Sequence, residues 1–362
     1  MKILYTITGL GVGGAEKIVT TLADKMVEHG HQVKIVYFYG DALTMPSNTN
    51  IEITKLPVTK NPLSILKGIL HLRNIINSYK PDIVHSHMFH ANIISRLCRL
   101  IAPMPKLICS AHSNNEGGMP RMWLYKITDN LADLTTNVSD DATRSYIDKK
   151  AAPAHKIRTV LNGIDVSKFQ FSMAKRAEIR KNLQFDDDTA FILAVGRFNE
   201  AKDYPNLLTA YSKMQSLYDG KNKLVIVGDG SLKAELLKLA ENLNINHKII
   251  FLGIRKDVAD IMSAADLFVS SSAWEGFGLV IAEAMSCRLL TISTDSGGPR
   301  EIIGNSEQLV PIRDSDKLAQ KMADFLQLDN ASREKLIIDG EKRSHSHFSL
   351  QEQVKLWLSL YQ

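Results

Sequence analysis

The sequence predicts an α/β protein with two Rossmann-like domains, each built on a doubly wound parallel sheet. The chain has 362 residues, which is more than one average domain. It opens with a strand, a glycine-rich turn, a helix and a second strand within residues 1–39. A second series of alternating strand and helix patterns begins at Ala190. Two such series, without an internal sequence repeat, indicate two domains in tandem.

In the first half, short apolar runs alternate with amphipathic segments. Met1–Thr8 has the pattern of a buried strand, and Ala15–Gly30 that of an amphipathic helix with Gly30 as its C-cap. Further strands are predicted over 31–39, 81–87, 106–112, 133–138 and 157–161, and further helices over 64–79, 91–100 and a stretch ending at 149.

The second half repeats this alternation after a break. Asn162-Gly163-Ile164-Asp165 marks a turn, and the charged stretch Lys168–Asp188 shows no clear strand, so we predict the domain hinge there. Strands are predicted over 190–195, 223–227, 249–252, 267–271 and 289–293, with helices over 206–217, 232–243, from 280 and over 350–361. The predicted domains are therefore 1–167 and 168–345, followed by a terminal helix in 346–362.

The composition is that of a soluble globular protein, with 44% hydrophobic and 23% charged residues. No apolar run is long enough to span a bilayer, and the short apolar run after Lys2 does not resemble a signal peptide. Three widely spaced cysteines argue against a disulfide framework or a zinc knuckle. These features predict a cytoplasmic protein.

The basic charge lies entirely in the first half. Residues 1–167 hold 19 Lys+Arg against 13 Asp+Glu, an excess of six, and the remainder holds 25 against 26, which gives the net charge of +5. This excess is small for a nucleic-acid-binding domain. It is better suited to an anionic small substrate or an anionic membrane surface.

The junction Ser270–Leu290 is the first candidate site. A strand pattern leads into Glu275-Gly276-Phe277-Gly278, and a helix pattern containing Glu283 follows. The start of such a helix offers free N–H groups and the positive end of the helix dipole, which favour phosphate. An ordinary junction with two solvated glutamates is the alternative.

Two further loops follow predicted strands. Gly9–Gly14 contains the GxGxxG spacing of dinucleotide-binding turns, although the nearest ribose-binding acid, Asp41, lies a little past the second strand. In Gly196–Asp203, Arg197 and Lys202 could both neutralise a diphosphate. Each loop taken alone could also be an ordinary turn, but ligands of open α/β sheets bind at these strand ends.

Histidines cluster near two strand ends of the first half, at His85, His87, His90 and His112. Their surroundings lack the carboxylates or thiolates of a zinc or iron site, so a metal is not predicted. A single histidine that acts as a hydrogen-bond donor or acid/base is favoured, and His112 is the best candidate.

Over nearly its whole length the chain resembles glycosyltransferase family 4, retaining enzymes of the GT-B fold. The matching segments are GGAEKIV, DIVHSH at 82–87, AHSN within 110–114, NGID at 162–165, GRFNEAKD at 196–203, EGFGLVIAE and GGPREII at 297–303. The resemblance implies two Rossmann-like domains that face each other across a cleft, with the terminal helix returning to the first domain.

The resemblance also implies a role for each candidate residue. Arg197 and Lys202 would hold the diphosphate of a nucleotide sugar, Glu283 the ribose and Glu275 the sugar, while His112 would contact that sugar near its reacting carbon. The remaining implied donor-binding residues are Gly13, Gly14, Gly196, Ile254, Arg255, Phe277, Gly278 and Leu279. Of these, Ile254 or Arg255 would lie beside the base.

The implied reaction is hexosyl transfer with retention from a nucleotide sugar, with UDP as the default base, and it needs neither a metal nor a cofactor. The implied acceptor is a glycan on a polyprenyl diphosphate, as in bacterial surface polysaccharides of the O-antigen, capsule or lipopolysaccharide type. Basic and apolar residues in Ser64–Lys80 and Met119–Lys126 predict peripheral contact with the inner face of the cytoplasmic membrane. Packing of the first of these helices on the sheet is the alternative.

Two other functions stay open on the sequence alone. A nicotinamide-dependent oxidoreductase would use the GxGxxG turn but would give no role to Arg197, Lys202 and the paired glutamates. A non-catalytic nucleotide-sugar binding protein would keep the phosphate site without transfer.

Overall fold

A computed structural model describes residues 1–59, 61–114 and 116–362. The chain forms two compact units, Met1–Gly163 together with Gln351–Gln362, and Ile164–Leu350. Each unit holds one parallel sheet with helices, so the predicted pair of Rossmann-like domains is confirmed.

The first sheet has seven strands in the order β3-β2-β1-β4-β5-β6-β7. Apolar side chains bury both faces of its central strands, which is why these strands read as nearly continuous hydrophobic runs. The strands are β1 (Lys2–Gly9), β2 (Gln32–Tyr39), β3 (Glu52–Lys55), β4 (Ile83–His87), β5 (Lys106–Ser110), β6 (Leu134–Asn137) and β7 (Ile157–Thr159).

In the described part of the first unit, five α-helices connect these strands. α1 buries one stripe that includes Val19, Leu22 and Met26, as its amphipathic pattern predicts. The Asn61 side chain accepts the Leu63 N–H at 3.0 Å and caps α2. The helices are α1 (Gly14–Glu28), α2 (Pro62–Tyr79), α3 (Phe89–Cys98), α4 (Met119–Thr128) and α5 (Asp140–Asp148).

The second sheet has six parallel strands in the order β10-β9-β8-β11-β12-β13. Its core is one continuous apolar cluster that includes Ile192, Leu207 and Leu224, all fully buried. The strands are β8 (Ala190–Val195), β9 (Asn222–Val227), β10 (Ile249–Gly253), β11 (Leu267–Ser270), β12 (Thr291–Thr294) and β13 (Leu309–Val310).

Eight helices belong to this unit, and side chains cap several of them. Ser172, Asp314 and Asp329 accept N–H groups at the starts of α6, α12 and α13. The helices are α6 (Met173–Asn182), α7 (Tyr204–Met214), α8 (Lys233–Asn242), α9 (Val258–Ala264), α10 (Leu279–Ser286), α11 (Gly298–Ile303), α12 (Ser315–Leu326) and α13 (Asn330–His347).

The terminal helix, α14 (Leu350–Tyr361), packs on the first unit, as the resemblance implied. The Tyr361 hydroxyl lies 3.0 Å from that of Tyr5. The Trp357 ring lies 4.4 Å from the ring of His85, measured between centroids. Because Tyr5 and His85 are paired across β1 and β4, the helix covers the centre of the first sheet.

The stretch Lys168–Asp188, predicted as the hinge and as having no clear strand, contains the helix α6. This helix buries only Ile179 and Arg180, so its sequence has no apolar stripe to reveal it. Among the described residues, no helix is both long and apolar enough to cross a membrane.

Candidate functional site

The carboxyl ends of the strands in the second unit carry most of the predicted site residues. β8 lies between β9 and β11, and the strand order reverses there. Ligands of open α/β sheets bind outside the carboxyl ends of the strands at such a switch point. The loops after β8 and β11 are therefore neighbours where a ligand is expected.

An ion pair joins these two loops. Lys202 ends a 3-10 turn after β8, and its Nζ contacts Oε2 of Glu275 in the loop after β11. The Ser272 hydroxyl donates to the same carboxylate oxygen at 3.3 Å. The Lys202 and Glu275 side chains remain 21% and 20% exposed. The pair can therefore meet a ligand while each partner orients the other.

The backbone ties the same loops together. The Ser271 hydroxyl donates to the Lys202 carbonyl at 2.8 Å, and the Ala273 N–H donates to the Ala201 carbonyl at 2.8 Å. The Asn199 side chain also accepts the Lys202 N–H at 3.2 Å. Lys202 is thus held by main-chain contacts as well as by its ion pair.

Arg197 lies on the same loop as Lys202, and its side chain is exposed. Its guanidinium makes no hydrogen bond or ion pair with the described residues. Gly196, which precedes it, leaves room for Lys202. A Cβ at Gly196 would lie 3.2 Å from Cε of Lys202 and 3.2 Å from the Tyr204 hydroxyl. The glycine therefore permits the lysine stem to pass close to the end of β8.

The segment after β12 supports the loop that holds Glu275. The Glu275 N–H donates to the Ser296 carbonyl at 3.0 Å, and the Gly298 N–H donates to the Glu275 carbonyl at 3.3 Å. A Cβ at Gly298 would lie 2.5 Å from both Cα and the carbonyl oxygen of Phe277. The two backbones touch, so only glycine fits at Gly298. The sequence did not indicate this supporting role.

The start of α10 lies in the junction that the sequence predicts as a phosphate site, and this role stays a prediction. Phe277 is buried with its ring against that of Phe348, at a centroid distance of 5.7 Å. Gly278 has a φ of +103° and α10 begins at Leu279, with no side chain capping it. The first N–H groups of a helix have no partner within the helix, and they carry the positive end of its dipole.

Glu283 lies farther along α10 and is only 5% exposed. Glu283 takes part in an interaction with another group. Its environment therefore differs from that of Glu275, which lies at the sheet edge. The ribose-binding role of Glu283 stays a prediction.

Ile254 and Arg255 follow β10, two strands away from β8. The Ile254 side chain is 71% exposed, and its place beside the base stays a prediction. The Arg255 guanidinium forms two hydrogen bonds with Asp257, at 2.8 and 2.5 Å. These bonds lower the pKa of Asp257. Arg255 is thus already paired within the second unit.

In the first unit, Gly13 and Gly14 stand at the start of α1, and no side chain caps this helix. The preceding turn is anchored, because the Thr44 hydroxyl donates to the Gly11 carbonyl at 2.5 Å. A Cβ at Gly9 would lie 2.9 Å from the Tyr39 carbonyl oxygen. Gly9, the first glycine of the GxGxxG turn, is therefore the position at which a side chain would collide with the neighbouring strand.

His112 follows β5 in the first unit and is partly buried. Its Nε2 lies 3.1 Å from Nδ1 of His87, and its backbone N–H donates to Oε1 of Glu116 at 3.0 Å. Burial lowers the pKa of His112 to about 4, so the ring is neutral near pH 7. Among the described residues, no group of three or more His, Cys, Asp or Glu side chains could hold a metal ion.

Two family models match the chain. Residues 12–168 match Glycosyltransferase Family 4, and residues 175–343 match Glycosyl transferases group 1. Together they cover most of both units, including the loops after β8 and β11.

Similar proteins extend over most of the chain. The N-acetyl-alpha-D-glucosaminyl L-malate synthase of Bacillus anthracis is 25% identical over 87% of this chain and 85% of its own length. A diphospho-undecaprenol 4-alpha-N-acetylgalactosaminyltransferase of Campylobacter jejuni is 25% identical over 91% of each chain. Anabaena Alr3699/HepE, solved with UDP and glucose, superposes with a TM-score of 0.85 at 19% identity, over 99% of each chain.

Proposed function

The chain belongs to glycosyltransferase family 4, and from this premise we propose that it moves a sugar from a UDP-sugar donor to a lipid-linked glycan. We further propose that the anomeric configuration is retained and that no metal is required. Relatives of the chain from Campylobacter jejuni and Escherichia coli are named as transferases that act on sugars linked to diphospho-undecaprenol. The observation that carries the proposal is the Lys202–Glu275 pair, which joins the loop that carries Arg197 to the loop that leads into the uncapped start of α10.

The diphosphate of the donor would meet three kinds of positive group in the second unit. Arg197 offers a planar fork that no described residue occupies, and Lys202 offers a point charge. The N–H groups of Phe277, Gly278 and Leu279 lie where α10 begins, so its dipole adds to the attraction. In the first unit, Gly13 and Gly14 offer a second uncapped helix start.

The two glutamates would bind neutral parts of the donor. A carboxylate accepts hydrogen bonds from two hydroxyls, which suits Glu275 for the sugar and Glu283 for the ribose. Lys202 holds Glu275 in one orientation, so the carboxylate is already positioned when the sugar arrives. His112 would contact the sugar from the first unit. The choice of UDP as the nucleotide is supported by the Escherichia coli relative at 27% identity, whose name gives UDP-Gal as its donor.

The reaction would depend on stabilising the leaving group. The bond between the anomeric carbon and the phosphate oxygen breaks, and UDP departs with the electron pair. The acceptor hydroxyl forms its bond on the same face and gives its proton to the departing phosphate oxygen. Fixed cations and N–H groups around the phosphate lower the barrier to such a step without a protein nucleophile.

Exposed apolar residues on the surface of the first unit support a lipid-linked acceptor, in addition to the names of the relatives. Leu63, Leu66 and Leu70, spaced for one face of α2, are 60%, 52% and 43% exposed. The opposite face of α2 packs in the core through Leu72 and Ile76. The alternative that the apolar residues of this helix pack on the sheet therefore applies to that face only.

A second apolar stripe lies on α4. Met119, Trp123 and Ile127, each four residues apart, are 62%, 59% and 54% exposed. Both α2 and α4 pack against α3, and Lys67 and Lys126 stand beside the stripes. Exposed apolar residues with flanking lysines favour the surface of an anionic bilayer, where a polyprenyl carrier resides.

Transfer can be tested with a panel of UDP- and GDP-sugars and polyprenyl-diphosphate glycan acceptors, with and without EDTA. We expect a glycosylated product from one UDP-sugar, with the anomeric configuration of the donor and at the same rate in EDTA. An inverted product, or a requirement for a divalent ion, would contradict that part of the proposal. Binding of UDP-sugars without hydrolysis or transfer would instead indicate the non-catalytic alternative.

Membrane contact can be tested separately by co-sedimentation with anionic and neutral vesicles. Leu66→Ser and Trp123→Ser should each weaken binding to anionic vesicles several-fold, because each removes exposed apolar area. Leu237→Ser is the matched control, since Leu237 is 43% exposed on α8 of the second unit. Equal binding by all three variants and the wild type would count against the α2 and α4 surface.

A further inference from the structure

Three histidine rings in the first unit, which we call the histidine series, end at His112. His85 and His87 are alternate residues of β4, so they lie on one face of the sheet, with ring centroids 4.0 Å apart. The His112 ring lies 5.4 Å from that of His87. Burial lowers the pKa of all three imidazoles. Each ring is therefore neutral near pH 7 and carries one N–H.

The hydrogen bonds of the histidine series leave one question open, namely which of His87 and His112 donates the proton in the bond between them. In His85, Nδ1 lies 2.7 Å from the Tyr361 hydroxyl and Nε2 lies 2.7 Å from the Ser110 hydroxyl, so both nitrogens have partners. Between His87 and His112, one bond of 3.1 Å joins Nδ1 of the former to Nε2 of the latter. One of these two nitrogens donates and the other accepts.

Nε2 of His87 decides between the two arrangements, because it is buried and has no partner among the described residues. If His112 donated, the single proton of His87 would lie on this Nε2 and form a buried N–H without an acceptor. Buried N–H groups without a partner are rare, and unpartnered acceptors are less so. Donation from Nδ1 of His87 avoids the buried N–H.

His112 then carries its own proton on Nδ1. This nitrogen has no hydrogen-bond partner in the part of the chain that the structure describes, and His112, unlike the fully buried His87, is only partly buried. The backbone at His112 is fixed by Glu116, whose carboxylate also accepts the Tyr125 hydroxyl at 2.6 Å. His87 and Glu116 thus hold His112 in place, and the Nδ1–H of its ring is available to a ligand.

We propose that His87 is a positioning residue, which donates from Nδ1 and holds His112 as the Nδ1–H tautomer. In this form His112 presents a hydrogen-bond donor, suited to a sugar hydroxyl or a phosphate oxygen, and not a lone pair suited to a base. The tautomer is a property of the free protein. Its effect on catalysis rests on the proposed role of His112 at the donor sugar.

The tautomer can be read directly from long-range proton–nitrogen NMR spectra of the whole protein with 15N-labelled histidine. His112→Asn assigns the His112 signals by their loss. We expect Nδ1 of His112 to be protonated and Nε2 to be unprotonated at pH 7. A proton on Nε2, or a doubly protonated ring, would overturn the proposal without reference to any activity.

Two substitutions at His87 separate positioning from packing. Asn places an amide N–H near the Nδ1 position, whereas Leu fills similar space without a donor. We expect His87→Asn to keep the Nδ1–H tautomer with near wild-type kcat. We expect His87→Leu to lose the tautomer and lower kcat about 10-fold, the loss of one directed hydrogen bond, with KM for the donor little changed.

The opposite results are equally clear. If His87→Leu keeps the tautomer and the full kcat, or if folded His87→Asn loses both, His87 does not position His112. Circular dichroism and Tm identify a variant that fails to fold, and the wild-type spectrum then still decides the assignment. If the wild type transfers no sugar, the proposed function fails while the spectra continue to test the tautomer.

Discussion

The two units place different chemistry at the carboxyl ends of similar sheets. In the second unit Arg197, Lys202 and Glu275, which we call the charged cluster, lie at the sheet edge, and Lys202 and Glu275 keep 21% and 20% of their side-chain surface exposed. In the first unit His85 and His87 are 0% and 1% exposed and neutral. The charged cluster therefore presents ionised side chains, whereas His85 and His87 present only uncharged hydrogen-bonding groups.

The difference follows from the cost of burial. A charge near water remains ionised and can still meet an incoming phosphate, whereas a fully buried imidazole loses its proton and keeps only directional hydrogen bonds. Substitutions in the charged cluster should therefore act through electrostatics and have large effects. Substitutions in the histidine series should act through geometry and have smaller ones.

The largest effect is expected from removing a cation of the charged cluster. Lys202→Ala, or Arg197→Ala, should lower kcat by about 10²–10³-fold, because each removes a cation that we propose stabilises the leaving diphosphate. In Lys202→Ala, Glu275 also loses its ion-pair partner and repels the phosphate. Initial rates at saturating donor and acceptor measure this loss.

Lys221→Ala is the matched control for this prediction. Lys221 pairs with Asp186 and Asp188 at the surface and is 62% exposed, next to the start of β9 at the opposite edge of the sheet. Its removal should leave kcat unchanged, since exposed pairs contribute little. Turnover within a few-fold of wild type in both Lys202→Ala and Arg197→Ala would end the assignment of a charge-stabilising role.

The next effect tests whether the backbone support of the charged cluster matters. In Gly298→Ala, the new Cβ would lie 2.5 Å from the Phe277 backbone, so the loop carrying Glu275 must shift. A shift of about 1 Å in positioned groups can cost on the order of 10²-fold, so we expect kcat to fall by about 10–10²-fold. Steady-state kinetics at two donor concentrations separate this loss from weaker binding.

Gly340→Ala serves as the comparison variant. Its Cβ would meet Met285 Cγ at 3.6 Å, an ordinary contact, in the middle of α13. Alanine should therefore leave kcat unchanged and raise the free energy of unfolding by about 0.5–1 kcal/mol. If Gly298→Ala behaves like Gly340→Ala, the support of the Glu275 loop by the β12 segment is not needed.

A smaller effect is expected from the histidine series, on stability and its pH dependence. Burial lowers the pKa of His112 to about 4, while the unfolded value is about 6.5. Between these values the unfolded chain binds the additional proton, so the stability due to this histidine is lost as pH falls. The slope contributed is up to about 1.4 kcal/mol per pH unit.

Urea unfolding of the wild type and His112→Asn between pH 7 and pH 5 measures this contribution by difference. The wild type should lose stability more steeply than the variant as the pH falls. The carboxylates of the chain are common to both proteins, so they cancel in the comparison. Parallel pH profiles would show that His112 is protonated as readily in the folded chain as in water.

The smallest effect is expected at the end of β10. Arg255 is exposed and already paired with Asp257, so Arg255→Ala should raise KM for the donor by no more than about five-fold. Its kcat should stay at the wild-type value, because the guanidinium lies two strands from β8. A fall in kcat comparable to that of Arg197→Ala would place Arg255 in the charged cluster.

Much of the fold was predictable because strands and helices leave local periodic patterns. The predicted bounds of β8 and α14 match the structure residue for residue. α13 lay outside the prediction because, over 18 residues, it buries only Ser344 and has no apolar stripe. The prediction also lacked α12, although its sequence carries an apolar stripe, because Leu318, Met322 and Phe325 lie on its buried side.

By itself the sequence determined the α/β class, the glycine turns, and which charged residues follow strands. The tertiary structure decided which of them meet: Lys202 with Glu275, 73 positions away, and His87 with His112, 25 positions away. It also decided that Gly298 must be glycine, because the Phe277 backbone lies against it. Local patterns carry the period of each element, whereas these contacts depend on strand order and on backbones packed at van der Waals distance.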